Sequence, residues 1–265
     1  MMKKLEALVL AIAMCIGLAA CGGSAVQDES SESSSPAPAN TTEDEYYDWI
    51  GDAYENAYEV VYNDAEVISY HGKWGQIHVF TAIKNVSDSP MTVNQSNKCD
   101  IYRQTENGDV LIDEGKHYQF HVPELIQPGE IAYLYCSDSD PDTTPDDTVY
   151  AVPKIEGLRK DGEGNTMVYH DAVVEGVYNI PDDTLRIELK GSLTASEEMK
   201  EKDEIYVYAV GFDASGKPIC MFVGSVEDAT PGNTYEFTLT AEVYNRFTAE
   251  DVASTQISTL SFGKK

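Results

Sequence analysis

From Ala65 onward, short runs rich in Val, Ile, Tyr and Thr alternate with clusters of Gly, Pro, Asn, Asp and Ser, and the apolar positions recur at a period of two. This pattern predicts half-buried strands bounded by turns. A first series falls near 65–70, 75–84, 91–95, 98–104, 109–113, 117–122, 130–136 and 148–156. A second follows near 166–179, 184–194, 204–213, 218–226, 233–241 and 255–262. Asn107-Gly108, Pro128-Gly129, Ser215-Gly216 and Pro231-Gly232 stand between apolar runs. Gly and Asn reach the positive φ that tight turns require, and Pro cannot donate to a strand ladder, so these pairs mark the breaks.

One stretch breaks the period of two. Tyr47, Ile50, Tyr54, Ala57, Tyr58 and Val61 recur at steps of three or four, which predicts an amphipathic helix over 46–62. Thr42 with Glu45 three residues later resembles a capping box. The aromatic stripe has two possible uses, packing against the folded part or stacking on sugar rings. As a ligand face it would consist of Tyr46, Tyr47, Trp49, Tyr54 and Tyr58. Packing is the commoner fate of such a stripe.

Upstream, Lys3 and Lys4 precede an uncharged run from Ala7 to Ala20, fourteen residues long. A membrane-spanning helix needs about 20 apolar residues, so the run is too short to span and suits the apolar region of an export signal. It ends Leu18-Ala19-Ala20-Cys21-Gly22, which resembles the lipobox of bacterial lipoproteins. The resemblance implies that residues 1–20 are a signal peptide, that Cys21 is acylated, and that the membrane is a partner through that lipid. Each buried CH2 contributes roughly 0.8 kcal/mol, so two or three acyl chains anchor a protein firmly without a spanning helix. An extracytoplasmic location on a bacterial cell follows, and the Gly-Ser-Glu character of the next segment leans towards a Gram-positive surface. Residues 21–45 are small, polar, acidic and spotted with proline. They carry too little apolar surface to offset their ordering entropy, so a disordered tether is expected.

Charge narrows the partners. Against 18 Lys+Arg stand 46 Asp+Glu, a formal net charge of -28. Such a surface repels phosphate backbones, so nucleic acid is excluded as a partner. At 265 residues and 42% hydrophobic content the chain can bury one or two cores.

The punctuators recur in order. Asn85, Gly108 and Pro128-Gly129 of the first half reappear as Asn179, Gly216 and Pro231-Gly232, about 100 residues apart, the length of one immunoglobulin-like sandwich. The expected fold is all-β: two tandem Ig-like β-sandwiches, 63–160 and 161–265, after the signal, the tether and one short helix. The order of an Asn with a short polar turn, a strand ending in an aromatic, an Asn-Gly or Ser-Gly turn, and Pro-Gly-x-x-x-Tyr resembles the FxLYD-type Ig-like domains of bacterial surface lipoproteins. The first half carries the resemblance best, from Val79 to Tyr135. In the second half the Asn179 to Gly216 stretch is longer than Asn85 to Gly108, and Phe212-Asp213 lacks the fuller motif. The resemblance implies a non-enzymatic extracytoplasmic module and brings no catalytic residues.

Candidate chemistry is sparse. Besides Cys15 and Cys21, only Cys99, Cys136 and Cys220 remain. A Cys99–Cys136 bridge and unpaired thiols filling apolar strand positions are both open. No Cys-x-x-Cys pair suggests zinc. His117 and His121 are four apart, but in a strand that separation is about 13 Å, too far for one metal. His71, His78 and His170 have no Ser or Cys motif beside them, and no Gly-x-Ser-x-Gly elbow occurs. Asp138, Asp140 and Asp142 match positions 1, 3 and 5 of a calcium loop, yet Thr143 stands where that loop needs Gly and Val149 where it needs the bidentate Glu. A weak calcium site and a solvated loop both remain open. Glu197, Glu198, Glu201, Asp203 and Glu204 read as a solvated crest.

The expectation is therefore a non-catalytic binding or scaffold lipoprotein, without metal or cofactor, that meets an extracellular protein or glycan. The alternative is a carbohydrate-binding accessory or a subunit of an envelope hydrolase. A transporter's solute-binding lipoprotein fits less well, because it requires alternating strands and helices.

Overall fold

The computed structural model describes residues 57–71, 74–93, 96–160 and 167–263. The signal, the tether, Cys21 and residues 46–56 of the expected helix lie outside them.

The first half supplies β1 (Tyr58–His71), β2 (Trp74–Asn85), β3 (Met91–Val93), β4 (Lys98–Thr105), β5 (Gly108–His117), β6 (Phe120–Val122), β7 (Leu125–Ile126), β8 (Ile131–Asp140), β9 (Val149–Lys154) and β10 (Leu158–Lys160). The second supplies β11 (Met167–Tyr169), β12 (Asp171–Asn179), β13 (Arg186–Thr194), β14 (Asp203–Phe212), β15 (Pro218–Ala229), β16 (Thr234–Glu242) and β17 (Ser254–Phe262). All pairings are antiparallel and the architecture is all-β.

In the first half, a sheet ordered β1-β2-β8-β6 faces a smaller sheet ordered β5-β4-β9, and a short ladder β10-β3-β7 closes one side. Ile77, Val79 and Ile83 from β2 and Ala132, Leu134 and Cys136 from β8 meet Cys99 and Ile101 from β4 and Ala151 from β9 in one buried cluster. The arrangement is sandwich-like. The second half forms one continuous ladder, β11-β17-β14-β15-β16-β13-β12. β15 follows β14 for most of its length and touches β16 in register only at Val223↔Thr240. Ile187, Leu189 and Leu193 of β13 and Phe237, Leu239 and Ala241 of β16 alternate with exposed or half-buried residues, and they share a core with Ile205, Val207 and Ala209 of β14.

β2 is covered on both faces for most of its length, as are the middle of β8 and the C-terminal half of β14. Phe80 and Tyr135 point away from the first core and meet Val210, Phe212 and Met221 of the second half in a third cluster, together with Val122. The inner sheets of the two halves thus pack on one another.

Three expectations are corrected. The expected helix extended to Tyr62, but Tyr58–Tyr62 is strand, beginning β1 at the pair Tyr58↔Asn85. The ladder with β2 outweighs a helical periodicity in a run, Tyr-Glu-Val-Val-Tyr, that is β-branched and aromatic. A bulge between Val60 and Tyr62 inserts an extra residue, so apolar spacing there departs from two and imitates a helical step. The strand expected at 166–179 is interrupted at His170, and β5 runs on to His117 before the break at Tyr118 and Gln119.

Candidate functional site

Where the two halves meet, a spur, the short loop after β16, places Arg246 and Phe247 between three open recesses, and both residues line all three. Their volumes are about 230, 360 and 530 Å³. The loop earns its shape from two consecutive residues in the left-handed region, Tyr244 at φ 46 and Asn245 at φ 64. Asn tolerates this region, whereas Tyr is strained there by about 1–3 kcal/mol. Backbone hydrogen bonds offset the strain: Val243 and Tyr244 N–H donate to the Leu185 carbonyl at 2.7 and 3.1 Å, and Asn245 N–H donates to Thr184 at 2.9 Å. The Tyr244 hydroxyl donates to Glu242 Oε2 at 2.6 Å.

The recess between the halves is walled by Tyr62, Asp64, Glu66 and His78 on one side and by Asp213, Lys217, Ile219 and the spur on the other. Arg246 Nη2 reaches Glu66 Oε2 at 2.6 Å, Lys217 Nζ reaches Asp64 Oδ2 at 2.9 Å, and Lys217 also pairs with Glu66. Burial alone would raise the Glu66 carboxyl, but hydrogen bonds from Lys217 and Arg246 hold it below the ordinary carboxylate range. Burial would lower Lys217, but Glu66 and Asp64 push it up. The Tyr62 phenol, donating to Asp64 Oδ2 at 3.1 Å, is raised by burial and then by the Asp64 charge. Burial lowers His78 to about 3, with the Arg246 charge adding to it. His78 is therefore a neutral imidazole, with Nδ1 2.9 Å from the Tyr135 hydroxyl. The recess offers a cation, an aromatic ring and half-exposed carboxylates, groups suited to hydrogen bonding and stacking with a polar partner.

The residues singled out from sequence lie elsewhere. Cys21, Tyr46, Tyr47, Trp49 and Tyr54 are outside the described residues. Tyr58 is half-buried in β1 and packs against the first core. His117 ends β5 and His121 lies in β6, on either side of a strand break. His121 is 2% exposed, its Nε2 has no partner, and burial lowers it to about 4. His170 has a defined tautomer: Ser196 N–H donates to Nδ1 at 2.9 Å, so Nε2 carries the proton and donates to Ser261 Oγ at 3.0 Å. The acids of the 138–147 loop are divided among local partners. Asp138 pairs with Lys116 at 3.0 Å, Asp140 with Arg103 at 3.5 Å, and Asp147 accepts from Thr144 N–H at 2.6 Å. Among the described residues, no three His, Cys, Asp or Glu side chains converge as a metal site would.

Sequence reasoning missed the spur. One signal was available: Arg246 is among only four arginines in a chain with 46 acids, and a scarce cation beside Phe and Asn marks a place where charge is used. Its partner Glu66, 180 residues away, left no local trace. No family model, characterised protein or solved structure matches this chain.

Proposed function

We propose that the protein is a membrane-anchored extracytoplasmic lipoprotein, acting as a non-catalytic binding or scaffold module at the cell surface. The Leu18-Ala19-Ala20-Cys21 sequence behind a charged start and an apolar run carries the anchoring. The scaffold role is supported by the joint, where an aromatic cluster and the Glu66 ion pairs fix one half against the other. The finer fold reading is two Ig-like sandwiches, with the shared cores of each half in its favour. Acyl-analogue labelling of cells expressing the full chain tests the anchor. Wild type takes up label and sediments with membranes, whereas Cys21→Ala loses both; label retained in that variant overturns the reading. For the binding role, a photo-crosslinking residue at position 247 is expected to capture a defined surface component on intact cells, and Arg246→Ala is expected to reduce that capture.

A separate observation favours the carbohydrate-binding alternative. On the β5-β4-β9 sheet the rings of Tyr102 and Tyr150 stack, with centroids 5.1 Å apart and planes at 13°. Leu111, opposite Tyr102 in the ladder, is 45% exposed, and the Tyr150 hydroxyl donates to Asp109 Oδ2 at 2.7 Å. Glycan-array binding lost on Tyr102→Ala and kept on Arg246→Ala would move the function to this face.

A further inference from the structure

The first core holds two thiols face to face. Cys99 in β4 and Cys136 in β8 are both 0% exposed, and their sulfurs stand 3.7 Å apart. β4 and β8 belong to opposing sheets that share no ladder, so the two sulfurs meet across the middle of the core. Beside them Lys116 of β5 and Asp138 of β8 pair at 3.0 Å. Lys116 is the ladder partner of Cys99, and Asp138 follows Cys136 by two residues. The ion pair therefore clamps the same two sheets at the height of the thiols. The remaining described cysteine, Cys220, lies in the second core, where a Cβ added at Gly211 would come 2.6 Å from its sulfur.

We propose that Cys99 and Cys136 form a disulfide that staples the two sheets of the first half together. A disulfide has its sulfurs about 2.05 Å apart, so each must move by about 0.8 Å, within reach of side-chain rotation while the strands stay in place. The oxidant is a small-molecule disulfide such as oxidised glutathione. During folding, while Cys99 is still accessible, its thiolate attacks one glutathione sulfur. A mixed disulfide forms and one glutathione thiolate leaves. Cys136 then loses its proton and attacks Cys99 Sγ, expelling the second glutathione thiolate. Two thiol protons and two electrons leave the protein, and one oxidised glutathione becomes two reduced molecules. The bond requires neither an acylated Cys21 nor a surface location, so it goes beyond the anchored-module reading and stands or falls separately.

The test uses the full chain, denatured and reduced, then refolded in glutathione mixtures of stepped potential, with free thiols alkylated before trypsin digestion. Cleavage after Lys98 and Arg103 releases Cys99 in one peptide, and cleavage after Lys116 and Lys154 releases Cys136 in another. The expected result is a single linked species joining these peptides, lighter by two hydrogens than their sum, rising as the mixture becomes more oxidising while Cys220 stays alkylated. In Cys136→Ala the Cys99 peptide is expected only alkylated or as its glutathione adduct. Refolded protein with native circular dichroism in which both peptides stay alkylated at every potential overturns the proposal. Linkage of either cysteine to Cys220 overturns it as well.

Discussion

Tyr133 of β8 and Phe212 of β14 meet edge to face, with ring centroids 4.9 Å apart and planes at 68°, across the boundary between the halves of the chain. Phe120 and Tyr208 make a second crossing, with centroids 5.1 Å apart. Aromatic pairs of this kind contribute about 0.5–1.5 kcal/mol beyond the area they bury. Phe212 is also 8% exposed within the joint cluster. Phe212→Ala is therefore expected to destabilise the protein by about 3 kcal/mol in denaturant unfolding. A double-mutant cycle with Tyr133→Ala should return a coupling of about 1 kcal/mol. Additivity of the two single changes would mean that the halves do not support one another here.

Glu66 accepts from two cations of the other half, Lys217 and Arg246. All three side chains are about one-third exposed, so solvent screens the network and its worth is modest. Glu66→Gln is expected to cost about 1 kcal/mol at low salt. Raising the ionic strength to 1 M, where the screening length is about 3 Å, should erase most of the difference between variant and wild type. A difference insensitive to salt would assign the effect to packing rather than charge.

The period of two located the strands well because most of them bury one face, as β13 and β16 do. The joint was legible in principle and was not read. Ile77-His78-Val79-Phe80-Thr81-Ala82-Ile83 and Ile205 to Phe212 are apolar or aromatic at nearly every position, the mark of strands covered on both sides. An independent sandwich would leave the outer positions to water. β7 and β10 left no signal, being two and three residues long. The spur depends on left-handed Tyr244 and Asn245, and nothing in the residue type of a tyrosine announces that conformation.

Gly191 in β13 faces a crowded wall. A Cβ at that position would stand 2.4 Å from the Val173 carbonyl oxygen of β12 and 2.6 Å from the Phe237 ring of β16. The carbonyl belongs to the ladder and cannot yield without breaking it. Gly191→Ala is expected to destabilise the fold by about 1–3 kcal/mol, the usual range for overpacking, visible as a lowered urea midpoint. Leu193→Ala, two residues along the same face, is the control for simple loss of packing, and only Gly191→Ala should be relieved in part by trimming Phe237 to Leu, which removes the ring clash and leaves the one with the carbonyl.

Two buried groups pull the pH dependence in opposite directions. Burial raises Glu124, 7% exposed near Tyr208, to about 7 from the ordinary 4.5. Its folded form keeps a proton that the unfolded chain releases, so this contribution is complete below about pH 4.5 and is lost as pH rises through about 7. Burial lowers His121, which lies opposite Leu134 in the ladder, to about 4 from 6.5. Its contribution is complete above about pH 6.5 and is lost as pH falls through about 4. Each window corresponds to about 3 kcal/mol. In wild type the two slopes largely cancel between pH 4.5 and 6.5, leaving buried His78, lowered to about 3, with His170 and the lowered carboxylates such as Glu66 and Asp100, to make stability fall towards acid. Glu124→Gln should therefore be more stable than wild type at pH 8 by up to about 3 kcal/mol and equal to it at pH 4. His121→Leu should be relatively more stable at pH 4 than at pH 7. Urea midpoints measured from pH 4 to 8 decide the matter: parallel curves for wild type and both variants would show that neither group carries a shifted proton in the folded chain.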